Sequence, residues 1–158
     1  MSKELDTYIT ELNNFADNLE VTVTTIGKKN ELGIVKLQND RLFKGYDALN
    51  TLIGGGVYAK KTIAIKSARA MKTSVVTLNY EGDWYGNMFV SGTKELIIDN
   101  KDKSLTSELM NGGGEGSNPP YGEAIVGLTT DEEVFLAVEI IDPELQKIIN
   151  KQISFIEL

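Results

Sequence analysis

The stretch GGVYAKKT, residues 55–62, comes within one residue of the pattern with which P-loop proteins hold nucleotide phosphates. Lys61 and Thr62 occupy the lysine and hydroxyl positions, but Lys60 stands where the second glycine should be. That glycine allows the positive φ that wraps backbone amides around a phosphate, and a lysine resists it. A P-loop also leads from a strand into a helix, whereas this sequence predicts a helix before the stretch and a strand after it. We therefore interpret residues 55–62 as a helix end followed by the start of a strand.

Two other patterns invite a catalytic interpretation. SGTK, residues 91–94, has the serine–lysine spacing of penicillin-recognising enzymes, but that spacing works on a helix and these residues predict a polar turn between strands. Carboxylates also cluster, and a suitably spaced pair could cleave a glycosidic bond or hold Mg²⁺ or Ca²⁺. The clusters are Glu81 with Asp83, Asp131 with Glu132 and Glu133, and Glu115 with Glu123. Solvated acids are routine in turns, so we assign no catalytic or metal-binding role to them.

The chain of 158 residues contains no histidine and no cysteine. It therefore lacks the commonest general base, the commonest zinc ligands and any disulfide framework. The acids also never fall in the alternating pattern of an EF-hand loop. From this we predict a protein that is not an enzyme and that uses no cofactor or metal.

Charge is distributed unevenly along the chain, whose net charge is −7. Residues 1–20 carry −4, residues 21–100 carry +4 and residues 101–158 carry −7. A basic window without acids lies in the middle third and provides binding candidates: Lys60, Lys61, Lys66, Arg69 and Lys72. Such a stripe could meet a small anionic ligand, or the acidic part of a neighbouring copy. Nucleic acid is a less favoured partner, because the chain as a whole is acidic.

Aromatic residues concentrate in YEGDWYGNMF, residues 80–89, which contains the single tryptophan. Trp84 and Tyr85 lie between Gly82 and Gly86 in a predicted turn. Exposed aromatic rings in a turn are typical of a surface that binds a base, a sugar or another subunit. The alternative is that Trp84 folds back and closes one end of the core.

The glycine-rich stretch NGGGEGSNPPYG, residues 111–122, predicts a flexible loop. It does not resemble a phosphate-binding loop, because a strand rather than a helix is predicted after it. Its glycines make the backbone flexible, and its two prolines make the segment just before Tyr121 stiff. Tyr121 could therefore form the tip of an arm that contacts a neighbouring molecule. A simple surface loop is the alternative.

Hydrophobic periodicity predicts a single α+β domain over residues 1–158. Helices are predicted at residues 2–19, 40–53 and 143–151, the second one ended by Gly54 and the third one capped by Asp142. The first is amphipathic, with an apolar face that packs either on the core or on a partner: Leu5, Tyr8, Ile9, Leu12, Phe15, Ala16 and Leu19. A hairpin is predicted within residues 21–38 around Lys28, Lys29 and Asn30.

Further strands are predicted at residues 57–65, 73–80, 86–90 and 95–99, the last two joined by a turn at residues 91–93. A strand pair is expected over residues 123–142 and a closing strand at residues 153–158. Together these segments predict a largely antiparallel sheet, built of a meander and hairpins and packed by the helices.

These features predict a non-enzymatic protein that associates with itself in a homo-oligomer, either a ring or a filament, or with another protein. In its small size, acidity, lack of cysteine and histidine, and long glycine loop, the chain is similar to phage-encoded structural or accessory proteins. That similarity implies a component of a virion or a similar ordered assembly. No signal peptide or membrane span is predicted, so a cytoplasmic location is expected. The rival hypothesis is a binder of, or an enzyme acting on, a nucleotide-like molecule, through residues 60–72 and 80–89.

Overall fold

The computed structural model describes residues 3–58, 60–78, 83–112 and 121–153, which are mostly helical with one small antiparallel sheet. Three helices begin the chain: α1 (Lys3–Asp17), α2 (Leu19–Lys29) and α3 (Glu31–Lys44). After a 3-10 turn at Ile53–Gly56 come α4 (Lys60–Ala68), the single turn α5 (Asp83–Gly86), and the strands β1 (Met88–Ser91) and β2 (Ile97–Asn100). The last part contains α6 (Lys103–Asn111), a 3-10 turn at Glu123–Ile125, α7 (Thr130–Phe135), a π-helical segment at Leu136–Ile141, and α8 (Asp142–Ile153).

The α+β class is confirmed in its coarse form, but the prediction of a largely β structure is wrong. The N-terminal helix and the hairpin at residues 86–99 are confirmed, with Met88 paired to Asn100 and Ser91 to Ile97. The turn between these strands contains residues 92–94, as predicted from SGTK. The closing strand falls almost wholly on residues 154–158, outside the described residues, and Ile153 ends α8.

The predicted hairpin at residues 21–38 is a pair of helices separated by Asn30. The alternation of VTVTT resembles a strand, but three of its threonine hydroxyls donate to the carbonyl one helical turn earlier. The acceptors of Thr22, Thr24 and Thr25 are the carbonyls of Asn18, Glu20 and Val21. β-Branched residues cost a helix only a few tenths of a kcal/mol each, about 0.7 kcal/mol at most. Burial of Ile26 and Ile34 outweighs that preference.

The helix predicted at residues 40–53 is also wrong, because α3 begins at Glu31 and ends at Lys44. Gly45 ends it with φ +94°, and a Cβ atom there would lie 2.8 Å from Cβ of Val75. The chain then turns around the buried Asp47, whose carboxylate accepts from the amides of Leu49 and Thr51 and from the Thr51 hydroxyl. A side chain that satisfies three donors in this way favours a turn over a helix.

Four other predicted strands are not strands. Residues 60–68 form α4 and residues 71–78 are irregular. In the predicted strand pair over residues 123–142, a 3-10 turn forms at Glu123–Ile125 and the apolar run at residues 131–142 is helical throughout. Residues 79 and 80 of the predicted strand at 73–80 lie outside the described residues. The predicted helix at residues 143–151 is confirmed as part of α8, but Asp142 does not cap it, because its backbone is helical and the π-helical segment Leu136–Ile141 leads directly into α8. A capping box at Thr129 and Glu132 starts the helical run instead.

Two buried clusters form the core. One contains Leu42, Ile53, Tyr58, Val76, Trp84, Met88 and Ile125. The other contains Ile26, Ile34, Val90, Leu136 and Ile141. Helix α3 and strand β1 contribute to both, through Ile34 and Leu42 and through Met88 and Val90. The contact between α3 and β1 therefore joins the two halves of the core.

Candidate functional site

Three of the predicted binding residues meet in a buried group around Thr77. The hydroxyl of Tyr58 accepts from the backbone amide of Thr77 at 2.7 Å and lies 3.2 Å from its Oγ1. The hydroxyl of Tyr85 donates to the Thr77 carbonyl, and Nζ of Lys66 lies 4.7 Å from the centre of the Tyr58 ring. Tyr121 packs against the same core cluster. The predicted residues are thus brought together inside the protein.

Burial determines the chemistry of this tyrosine group. It raises the pKa of Tyr85 and of Tyr121 above the ordinary value, and the charge that Tyr58 would carry on ionisation raises the pKa of each further. Both phenols therefore stay protonated at neutral pH, and the hydroxyl of Tyr85 donates to the Thr77 carbonyl. Tyr58 and Thr77 were missed by the sequence analysis, because nothing in their local spacing marks them.

The basic window does not form one surface. Lys66 is only 3% exposed and packs over Tyr58, which gives a buried cation an aromatic contact. Lys60 and Arg69 are exposed at the two ends of α4, and the side chain of Lys61 is outside the described part. Lys72 lies on the irregular segment beyond α4, where Nζ donates to the carbonyl of Phe43 at 3.2 Å. The stripe expected over residues 60–72 is therefore split between core and surface.

Trp84 belongs to the core, which is the alternative that the sequence analysis left open. Its side chain is 4% exposed, its Nε1 donates to Oγ1 of Thr106 at 3.0 Å, and its ring meets that of Tyr85 edge to face at 5.7 Å. The buried amide of Asn100 donates to the Trp84 carbonyl at 2.6 Å. The prediction of Trp84 as an exposed binding residue is therefore wrong. Tyr80–Gly82 lie outside the described residues.

Tyr121 lies at the base of the glycine-rich loop. Its backbone amide donates to the Leu109 carbonyl at 2.9 Å, and that of Gly122 donates to the Met110 carbonyl at 3.1 Å. Its ring is close enough to Gly54 that a Cβ atom there would lie 2.9 Å from Cε1. Because Tyr121 is held against α6 and the core, it is not the tip of an arm as predicted. Residues 113–120 of the loop lie outside the described residues.

The pattern at residues 55–62 has a different context from the one predicted. The 3-10 turn Ile53–Gly56, in which Gly54, Gly55 and Gly56 have positive φ, leads into the stretch, and helix α4 begins within it at Lys60. The prediction of a strand here is therefore wrong. The P-loop arrangement is still incomplete, since a turn stands where a strand should precede it.

The acidic triplet at residues 131–133 occupies the first turn of α7. Carboxylates are favoured there, because they face the positive end of the helix dipole. Glu132 closes the capping box and also forms an ion pair with the buried Arg41, whose Nη2 donates to the Gly127 carbonyl at 2.7 Å. Within the described ranges, no group of three acidic residues is arranged to hold a metal ion. A surface hollow of 420 Å³ beside this pair is lined by both signs of charge.

The N-terminal helix exposes a regular row of apolar side chains. We call the residues Leu5, Ile9, Leu12, Ala16 and Leu19 the N-terminal stripe, and all five are exposed. Leu5, Ile9 and Leu12 are 44%, 41% and 39% exposed, while Tyr8 and Phe15 beside them are half-buried. Helix α1 contacts its neighbour α2. The amphipathic helix is as predicted, and its apolar face lies outside the core.

Apolar side chains are also exposed elsewhere on the described surface, among them Leu32, which is 86% exposed. Val134, Phe135 and Val138 are exposed on and after α7, and Leu49, Leu52 and Val57 are exposed near the glycine turn.

Comparisons of the chain with protein-family models, with curated proteins and with solved structures found no match. No helix within the described ranges is long and apolar enough to cross a membrane.

Proposed function

We propose that this chain is a non-enzymatic interaction protein that assembles with copies of itself through the N-terminal stripe. One observation carries the proposal: Leu5, Ile9 and Leu12 are exposed on one face of a helix whose opposite face is polar. Contiguous exposed apolar surface of this kind marks interaction sites in soluble proteins. Covering the remaining exposed area of each such side chain is worth about 1 kcal/mol.

The stability of α1 gives a second reason to expect a partner. The helix has 15 residues, and an isolated helix of about that length is marginal in water. Most helices in proteins are stabilised by packing of the apolar face, which α1 leaves uncovered. Association would supply that packing.

Charge and Tyr121 support assembly less than the sequence analysis expected. Lys66 and Tyr121 both pack within the chain. The predicted contact with a neighbouring copy, which used the basic window and Tyr121, therefore loses two of the residues assigned to it. The rival proposal, a nucleotide-like ligand bound at residues 60–72 and 80–89, is weakened for the same reason, since Trp84 is buried too. A virion or similar assembly as the setting stays a prediction.

The test is the mass of the protein in solution, measured by light scattering at about 0.05 M and about 1 M salt. Assembly through apolar contacts predicts a mass above the 17.4 kDa of one chain at both salt concentrations. A mass that falls to one chain at high salt would indicate assembly through charge instead. A single-chain mass under every condition, at high protein concentration, would refute the proposal.

A further inference from the structure

The N-terminal stripe has the spacing of a coiled coil, and the inference drawn from it rests on the proposed function. Intervals of four and three residues alternate from Leu5 to Ile26, through Ile9, Leu12, Ala16, Leu19 and Val23. This is the seven-residue repeat, in which positions a and d form the seam between two helices. Assigning Ile9 to position a places Ala16 and Val23 at a, and Leu5, Leu12, Leu19 and Ile26 at d.

The fold divides this repeat into a covered part and an uncovered part. Ile26 is buried in the second core cluster and Val23 packs against that cluster, so the end of the repeat is used within the chain. The five positions before them are exposed. Four of them, from Leu5 to Ala16, lie on α1 over about 17 Å at 1.5 Å per residue, and Leu19 begins α2 after the break at Asn18.

We propose that α1 pairs with α1 of a second copy as a parallel, two-stranded coiled coil. β-Branched residues at a with leucine at d favour two strands. The stripe carries isoleucine at its first a position and leucine at three d positions, Leu5, Leu12 and Leu19. The b, c and f positions from Lys3 to Asn18 are all polar, so that a single face of the helix is available for pairing.

Charge decides between the parallel and the antiparallel arrangement. Positions e hold Asp6, Asn13 and Glu20, and positions g hold Tyr8 and Phe15. In the antiparallel arrangement e faces e, which would bring Asp6 against Glu20 of the other copy. In the parallel arrangement g faces e, so that Phe15 lies near Glu20 and Tyr8 near Asn13, with no pair of like charges. The parallel arrangement therefore avoids the repulsion.

The proposed geometry also fixes the symmetry. A parallel pair has a two-fold axis along the coil, so both copies use the same surface and the contact closes at two chains. This differs from the ring or filament predicted from the segregation of charge.

The absence of native cysteine allows a direct test with single cysteines. Leu5→Cys and Leu19→Cys place a thiol at d near either end of the stripe, and Asn14→Cys places one at f as the matched control. Under mild oxidation, each d variant should form a disulfide-linked dimer at least about tenfold faster than Asn14→Cys, because only a facing pair meets the distance limits of a disulfide. The mass of the unmodified protein should be that of two chains. Fluorescence of the buried Trp84 checks that the variants are folded.

Each other outcome overturns the inference in a distinguishable way. Leu5→Cys and Leu19→Cys, given different mass tags, would link only to each other in an antiparallel pair. A mass of three or more chains contradicts two strands. An oligomer without preferential linkage at the d positions places the contact outside the N-terminal stripe, which refutes the coiled coil and the role of the stripe but not self-assembly. A monomer refutes self-assembly as well.

Discussion

Gln38 shows how one polar side chain organises this core. It is fully buried between the two clusters, its Nε2 donates to the Ile125 carbonyl and to Sδ of Met88, both at 3.2 Å, and its Oε1 accepts from the Gly127 amide at 3.1 Å. It thereby holds residues 125–127 against α3. Buried polar groups are costly when they lack partners, so these bonds constrain the packing.

Gln38→Leu should destabilise the fold by about 1–3 kcal/mol, because it leaves the Ile125 carbonyl and the Gly127 amide without the partner they have now. The free energy of unfolding is measured in urea at one fixed protein concentration, with Trp84 fluorescence as the signal. Lys36→Ala, which removes an exposed ion pair with Asp40, is the control and should change stability by less than about 0.5 kcal/mol. Equal effects of the two substitutions would contradict the role assigned to Gln38.

Tyr85 should make the fold sensitive to alkali. Burial raises its pKa in the folded state, so the folded chain keeps a proton that the unfolded chain releases near pH 10. Stability should be unaffected below about pH 9 and should fall above it, with about 1 kcal/mol lost to this residue by about pH 11.

Urea unfolding at about pH 8 and about pH 11 tests this, because Tyr85→Phe should lose about 1 kcal/mol less than the unmodified protein between the two. Tyr46→Phe, which alters an exposed ring, is the control and should behave like the unmodified protein. An identical loss in Tyr85→Phe would show that Tyr85 does not cause the sensitivity.

At the scale of elements, the sequence predicted the parts whose signal is local. The N-terminal helix has a clean 3.6-residue period, and the hairpin at residues 86–99 has alternating strands around a turn containing Gly92. The β-branched runs in α2 and α4 misled the prediction, because long-range packing overrode local preference. A local signal was overlooked at TTDE, residues 129–132, where the spacing of Thr129 and Glu132 marks the helix start that replaces a predicted strand.

The candidate site could be predicted only in part. Lys66, Tyr85 and Tyr121 were singled out from charge and aromatic content, but their burial depends on contacts between distant segments. Thr77, which accepts from Tyr85, belongs to a segment predicted as a strand. The composition of a segment does not show whether a given side chain is buried in the core or exposed on the surface.

Two glycines of α3 should respond to alanine with opposite signs. Gly33 lies in the helix with open space where a Cβ would stand, so Gly33→Ala should stabilise by about 0.5–1 kcal/mol. Gly45 has φ +94° and its Cβ would meet Val75, so Gly45→Ala should destabilise by about 1–3 kcal/mol. Urea unfolding of both variants measures this. Equal shifts would contradict the assignment of Gly45 as the helix end.

At the scale of the whole molecule, the chain has a core that α3 and β1 hold together and an N-terminal helix whose apolar face lies outside it. The two halves of the core are covered by the chain's own residues. The side chains of the N-terminal stripe, in contrast, remain exposed. We therefore propose that the molecule associates through α1, while the two core clusters provide its stability.

Self-association through α1 can be tested by the sedimentation of two matched variants that add the same charge to opposite faces of the helix. Leu12→Glu places a carboxylate in the stripe, and Asn14→Glu places one on the polar face. The account predicts that the unmodified protein and Asn14→Glu sediment as the same oligomer, while Leu12→Glu sediments at the 17.4 kDa of one chain with Trp84 fluorescence unchanged. A Leu12→Glu variant that stays in the same oligomer would contradict the account.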